Sequence, residues 1–438
     1  MQELLKKAGL TPEILRDVSK RTAAIDEYNA KVGGLRGLLR TGKLEAAQTH
    51  PIPSKIATQD IARYLKFVSS GKRVPILFAA GRATRMRLPA LFDRLGIGGL
   101  TPGILLRINE LKDGEDASAK KLGGDAKLLA LVDAAVSGRA SASDQLSFLQ
   151  RQLLQYRFEM ENLFHQYPQS GVSLQDWLAR ASFVVVANEE NRDTASRQLA
   201  AIHFAGLSPE HVFMIIQQEV GGLEVLPDGT TRPYDLEVWP EGHGKPFMDM
   251  RSEGLLDKLS SLGVERAVFA QVNDLHLLED MTHMERWAAA DALITHGTEM
   301  VMEMVENGLS QKGGGIFRSP ESNTVMRDTI AMKTKDLEPY AVPQSLSRMF
   351  YELSLSGMAK LTPDALPAYL TERKTVSGGC VLTREYYSGD ASSVLRSAAI
   401  QKPGYTLETF KLQSRISHAL GATQKQDLQP GFKSLQLV

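Results

Sequence analysis

Four short apolar runs do most to limit what this 438-residue chain can become: VPILFAA (74–80), SFVVVANE (182–189), HVFMIIQ (211–217) and RAVFAQV (266–272). Each is rich in Val, Ile or Phe, and none alternates apolar with polar residues. A strand of that kind is buried on both faces, as in a parallel sheet with helices on each side. Helical stretches separate the runs: NRDTASRQLAAIHFAGL between the second and third, and FMDMRSEGLLDKLSSLG before the fourth. The alternation predicts a doubly wound α/β domain over about 71–345. Right-handed crossovers would gather the C-terminal ends of the strands, and the loops that follow them, along one edge.

The rest of the chain is organised around that domain. Residues 1–70 read as a helical segment: Leu4, Leu5, Leu10, Ile14 and Leu15 recur at helical spacing, and Thr11 precedes Pro12 as an N-cap precedes a first-turn proline. Residues 113–180 interrupt the alternation and read as a helical insertion, with the Gln-rich SASDQLSFLQRQLLQYRFEMENLF as its strongest helix. Residues 346–438 read as a mixed C-terminal domain, in which SLSRMFYELSLSGMAKL is expected to be helical and TVSGGCVLTREYYSGD a hairpin or loop.

Composition removes several function classes. Lys plus Arg equals Asp plus Glu, so there is no global field for nucleic acid or an anionic membrane, and an anion site must be local. No apolar run reaches the roughly 18 residues of a membrane span. The single cysteine, Cys380, rules out an intrachain disulfide and a cysteine-rich zinc site, and suits a reducing cytoplasm. The N-terminus lacks a signal-peptide core. A cytoplasmic protein, partnered with neither nucleic acid nor membrane, is the expectation. Nothing in the sequence sets the oligomeric state.

The chemistry concentrates in the loops. LFAAGRATRMRLPALF (77–92) carries an apolar run into Gly81, and Arg82, Arg85, Arg87 and Arg94 follow. A tight turn at Gly81 lets successive N–H groups face an anion. A helix N-terminus after it adds partial positive charge, and arginine adds bidentate phosphate contacts.

The pattern Ala-Ala-Gly-x-x-Thr-Arg-Met resembles the signature of sugar-1-phosphate nucleotidyltransferases, Leu-x-x-Gly-x-Gly-Thr-Arg-Met followed by Pro-Lys. The later stretch IIQQEVGGLEVLPDGTTRPYDLEVWPEGHGK resembles the large UDP-sugar pyrophosphorylases, which carry a Gln pair after a strand, a short Asp-Gly hairpin and then Pro-Asp-Gly-Asn-Gly-Gly. GLLDKLSSLGVERAVFAQVNDLHL resembles that family's helix, strand and metal loop, the last usually Val-Asp-Asn-x-Leu. These likenesses fall in consistent order over about 71–320.

The resemblance implies a Rossmann-like, glycosyltransferase-A-like nucleotidyltransferase core with a mixed, mostly parallel sheet. It implies transfer of UMP from UTP to a sugar 1-phosphate, assisted by Mg²⁺. By position, Ala80, Gly81 and Arg82 would approach the ribose and phosphates, and Arg85 would hold the leaving pyrophosphate. Gln217 or Gln218 would read uracil, since a Gln amide both donates and accepts. Gly242 would let the backbone approach the base. His243 and Lys245 would lie near the sugar, and Asp274 would bind Mg²⁺, with Asn273 one residue away as the alternative ligand.

Departures from the pattern leave a second reading open. Ala83 stands where the family has glycine, Ala90 where it has lysine, and Lys245 where it has glycine. Lys374, in TERKTVSGG, is the expected replacement for the missing lysine, with Lys245 the other candidate. Without a replacement, the chain would be a catalytically inactive relative that binds a nucleotide or sugar nucleotide as a regulatory or partner subunit.

Overall fold

The computed structural model describes residues 1–34, 47, 49–79, 146–167, 172–272, 284–306, 314–319, 323–327, 345–375 and 378–406. Their strands are β1 (Thr49–Pro51), β2 (Arg73–Phe78), β3 (Phe183–Asn188), β4 (Val212–Gln217), β5 (Glu219–Val225), β6 (Thr231–Pro240), β7 (Arg266–Gln271), β8 (Met300–Glu306), β9 (Gly315–Arg318), β10 (Thr324–Arg327), β11 (Ser345–Ser354), β12 (Tyr369–Lys374), β13 (Cys380–Glu385) and β14 (Ser397–Thr406).

The four apolar runs form one contiguous parallel block, in the order β7–β2–β3–β4. Ile76 pairs with Val184 on one side and Phe269 on the other. Every residue of β3 is buried, as a strand covered on both faces must be. One face packs on the helices Lys245–Ser252 and Leu255–Ser261 through Phe247, Met250, Leu256 and Leu259. The other packs on the helices Thr58–Ser69, Phe148–Gln166 and Met284–Thr295 through Tyr64, Leu153, Tyr156 and Trp287. The α/β fold with a mixed, mostly parallel sheet is thus the fold observed.

The sheet continues past β7 through an antiparallel strand, β11, to β8, β14 and β1, with the hairpin β9–β10 attached at β11. A second sheet is antiparallel, in the order β12–β13–β5–β6. Residues 346–406 therefore give strands to both sheets, and β1, from the N-terminal segment, edges the large one.

One expectation is corrected here. SLSRMFYELS is a strand, with only Leu355–Met358 helical after it. A helix could have turned its polar positions to solvent. Glu352 is instead buried, 1% exposed, between arginines that begin two neighbouring strands. Phe350 and Tyr351 lie in the cores on opposite faces of the sheet, as a central strand requires.

The N-terminal helices cover the small sheet. Leu5, Leu10, Leu15, Ile25 and Tyr28 pack on Leu223, Leu370 and Leu382. Thr11 caps the helix Pro12–Arg16 by accepting from the Ile14 N–H, with Pro12 in the first turn. Asn29, in the helix Val18–Val32, satisfies the open edge of β12: its Nδ2 donates to the Leu370 carbonyl at 2.8 Å, and its Oδ1 accepts from the Leu370 N–H at 2.9 Å.

Candidate functional site

The order β7–β2–β3–β4 has its reversal between β2 and β7, because the chain winds from β2 outward through β3 and β4 and then returns to β7 on the other flank. Open α/β sheets bind ligands outside the carboxyl ends of their strands at such a point. The chain leaves the sheet there at Ala79 and at Val272, side by side, since Phe78 pairs with Gln271. Ala80, Gly81, Arg82, Arg85 and Asp274, together with Ala83 and Ala90, lie outside the described residues.

What the described residues do is fix both departures. The Ala79 N–H donates to the Val186 carbonyl at 2.8 Å, and Asn191 Nδ2 donates to the Ala79 carbonyl at 2.8 Å. Asn191 is itself held by reciprocal bonds with Asn188, each side-chain oxygen accepting from the other residue's backbone N–H at 2.8 Å. On the β7 side, the Val272 N–H donates to the Phe78 carbonyl at 3.1 Å. Gln152 Nε2 donates to the Val272 carbonyl at 2.9 Å, from a side chain that is 4% exposed. The Gln-rich inserted helix therefore braces the departure of the residue-273 loop. Asn191 and Gln152 were not among the residues singled out from sequence. The Asn-x-x-Asn spacing after β3 is a local signal for the first, and nothing local signals the second.

Two strands away from β2, roughly 10 Å at the ordinary strand spacing, the loop Pro240–Gly244 closes the β4 side. Gln217 ends β4, is buried, and donates Nε2 to the Gly242 carbonyl at 2.6 Å. Its amide N–H is thus engaged with the loop, while Gln218 next to it is exposed. Gly242 has φ +83°, and a Cβ there would stand 2.3 Å from the Tyr386 carbonyl oxygen. The same loop is tied to the end of β13 by two backbone bonds: the Tyr386 N–H donates to the Glu241 carbonyl at 2.8 Å, and the Gly244 N–H to the Tyr386 carbonyl at 2.9 Å. Arg384 Nε donates to Glu241 Oε1 at 2.8 Å. Burial works against the Arg384 charge, and its hydrogen bond with Glu241 outweighs that and holds its pKa above the usual arginine value.

Gly242→Ala meets both a positive φ and a backbone contact, so it is expected to destabilise the fold by more than about 1 kcal/mol. Gly254→Ala is the control, since Gly254 has φ +73° and a Cβ there would meet nothing within 4 Å. Paired denaturant titrations should show the Gly242 variant as clearly the weaker.

His243 is partly buried beside Tyr387, its ring edge-on at a centroid distance of 5.2 Å. Lys245 opens the next helix, and its Nζ pairs with Asp249 one turn on. Burial raises the Asp249 carboxyl above its ordinary range, against the lowering effect of its hydrogen bond with Lys245. Gln217, Gly242, His243 and Lys245 are thus brought together in one loop cluster. Lys374 is not. It pairs with Cys380 at the far end of β12–β13, about 17 Å along β13 from Glu385 at an ordinary strand rise. There it lines a groove of about 590 Å³ with Arg16, Arg21 and Leu226. The hairpin register turns this lysine toward the N-terminal helices and away from the Gly242 loop. Among the described residues, no group of three or more His, Cys, Asp or Glu could hold a metal ion, and no helix is long and apolar enough to cross a membrane.

No protein-family model matches the chain, and no curated protein sequence matches it. Solved structures do. A UDP-glucose pyrophosphorylase from Leishmania major, known in open and closed forms, aligns with a TM-score of 0.54 at 14% identity, over 90% of this chain and 75% of that one. A point mutant of the Leishmania major enzyme, in complex with UDP-glucose, aligns at 0.53 and 15%, over 87% and 71%. A uridine diphosphate N-acetylglucosamine pyrophosphorylase from Trypanosoma brucei, in complex with an inhibitor, aligns at 0.51 and 13%, over 91% and 78%. The chain shares the fold of these proteins.

Proposed function

We propose that this chain is a UDP-sugar pyrophosphorylase that transfers UMP from UTP to a sugar 1-phosphate. A phosphate oxygen of the sugar phosphate attacks the α-phosphorus of UTP. The bond from that phosphorus to the bridging oxygen breaks, and pyrophosphate leaves with the electron pair. The protein's task is to align two anions and to offset the charge that grows on the leaving group.

The observation that carries this reading is one sheet edge. Two braced loop departures, one leading into the arginine-rich stretch and one into Asn273-Asp274, share it with the Gly242–His243 loop. Arg82 and Arg85 would contact the phosphates. Gln218, exposed at the end of β4, is the better placed of the two glutamines to read a base, because the amide nitrogen of the buried Gln217 donates to the loop. Asp274 would hold Mg²⁺ next to the departure of the arginine loop, and that ion would supply charge neutralisation.

One structural fact favours the second reading, a non-catalytic relative that binds a sugar nucleotide. Lys245 is paired with Asp249 and Lys374 lines a groove against the N-terminal helices, so neither is a free cation beside the Gly242 loop. One experiment separates the two. The chain is incubated with each nucleoside triphosphate, glucose 1-phosphate or N-acetylglucosamine 1-phosphate, and Mg²⁺, and pyrophosphate is measured. Release with UTP that stops on adding EDTA is the expected result. UDP-glucose or UDP-N-acetylglucosamine binding without turnover would establish the second reading, and neither binding nor turnover would sink both.

A further inference from the structure

Among the described residues two large apolar side chains stand exposed, Val18 at 64% and Leu236 at 84%. Leu236 is the tip of a knob on β6, the open edge of the small sheet. Val220 pairs with Trp239 and Gly222 with Tyr234, so the four residues Asp235–Val238 stand opposite Gly221 alone. Four residues in the place of one must bulge out of the ladder. Tyr234 and Trp239 close the base of the bulge, their rings stacked at 6.2 Å and 26°. Gly221 lets it lie close, since a Cβ there would be 2.2 Å from the Tyr234 carbonyl oxygen. Bulges and charges blunt an edge strand against further pairing, and Asp235 and Glu237 suit that use. The leucine between them does not, because an apolar tip invites the contact that the charges discourage.

Val18 has the opposite setting. It lines the groove of about 590 Å³ together with Leu226 and Pro227, and four cationic side chains line the same groove against one carboxylate, Glu372. Two of the four are engaged, Arg21 by Glu372 and Arg373 by Glu385. Arg16 has Glu13 and Asp228 within electrostatic reach. Lys374 is exposed and makes no ion pair among the described residues, and the same holds for Asp235 on the knob.

We infer that two copies of this chain associate through the small sheet, the acidic knob around Leu236 of each seating in the basic groove around Val18 of the other. Apolar contact at the centre supplies affinity, and opposite charges around it set which surfaces meet. Val225, in the groove wall, pairs with Thr231, and Gly222 pairs with Tyr234, at the base of the knob. The two features therefore lie three residues, roughly 10 Å, apart along one strand pair. The paired strand between them keeps a chain from filling its own groove. A two-fold axis lets both contacts form at once and closes the pair, whereas a one-way contact would go on adding copies.

Analytical ultracentrifugation of the full chain is the test. The parent is expected to form a dimer that weakens as salt is raised. Leu236→Asp is expected to weaken that dimer at least about a hundredfold, because two seated leucines are lost per pair. Asp235→Lys and Lys374→Glu are each expected to weaken it about tenfold or more, by setting like charges against each other. Mixed in equal amounts, these two variants should pair with each other at near-parent strength. The reversed knob of one then meets the reversed groove of the other, and the native knob meets the native groove. A chain carrying both changes should recover in the same way. Circular dichroism confirms that each variant is folded. If Lys374→Glu does not fold, Leu236→Asp and Asp235→Lys still decide, because both change exposed residues of the knob. A monomeric parent overturns the inference. So does a dimer indifferent to Leu236→Asp, or a mixture of folded Asp235→Lys and Lys374→Glu chains that pairs no better than either alone. Assemblies larger than a dimer overturn the two-fold pairing.

Discussion

Arg85→Ala is expected to slow pyrophosphate release about a hundredfold or more, on the order of 3 kcal/mol in the barrier, the scale of one donor aimed at charge that grows in the transition state. The proposed reaction would bring two anions together, and the described part of the site adds little free positive charge: Lys245 is paired with Asp249, and Arg384 with Glu241. On the proposed reading the load would fall on the arginines that follow Ala79, a residue held by Asn191 and the β3 backbone. Arg85→Lys keeps the charge but loses the planar fork, so it should recover only part of the rate. Steady-state kinetics on folded variants decides this. Near-full activity in Arg85→Ala would remove that residue from the mechanism.

Glu352→Gln is expected to cost about 3–5 kcal/mol of stability, the range for stranding buried charges by removing their partner. Arg73 and Arg266 begin adjacent parallel strands and are paired in register, which sets two cations side by side at the amino end of the sheet. Glu352 lies between them, 2.7 Å from Arg73 and 3.7 Å from Arg266. Burial pushes the Glu352 carboxyl up, but Arg73, Arg266 and Arg286 together outweigh it and hold the pKa below the ordinary carboxylate value. A depressed folded-state pKa means the contribution is present above the unfolded carboxylate pKa of about 4.3 and fades as pH falls toward the folded value. The stability gap between parent and variant should therefore be largest near neutral pH and close in acid. Glu265→Gln is the control: its pair with Lys72 is exposed, and its loss should cost less than about 1 kcal/mol. Denaturant midpoints at pH 7 and at pH values stepped downward from 4 measure both. A Glu352 variant as stable as the Glu265 control would show that the buried cluster contributes nothing.

Some of this molecule was legible in its residues. VPILFAA, SFVVVANE, HVFMIIQ and RAVFAQV named the parallel block because continuous apolar runs admit few other fates, and Thr11-Pro12 named a helix start because both signals are local. The Asp228-Gly229 turn was legible for the same reason: Gly229 has φ +85°, and Asp228 accepts from the Thr230 N–H next to it. The family resemblance put Gln217, Gly242, His243 and Lys245 around one site, and the fold brings these four together in one loop cluster.

Tertiary structure decided the rest. Whether SLSRMFYELS is strand or helix depended on arginines far away in sequence, Arg73 and Arg266 above all, because they make a buried glutamate tolerable. Lys374 carries the same charge wherever it lies, but the β12–β13 register turns it to the N-terminal helices and away from Gly242. Gln152 and Ser388 looked like ordinary polar residues, and only the fold puts one against the Val272 carbonyl and the other against the His243 ring. The division has a physical cause. Periodicity, capping and turn preference act over a few neighbouring residues and can be read along the chain, whereas the partner of a buried charge or hydrogen bond is set by which distant segments the sheets bring into register.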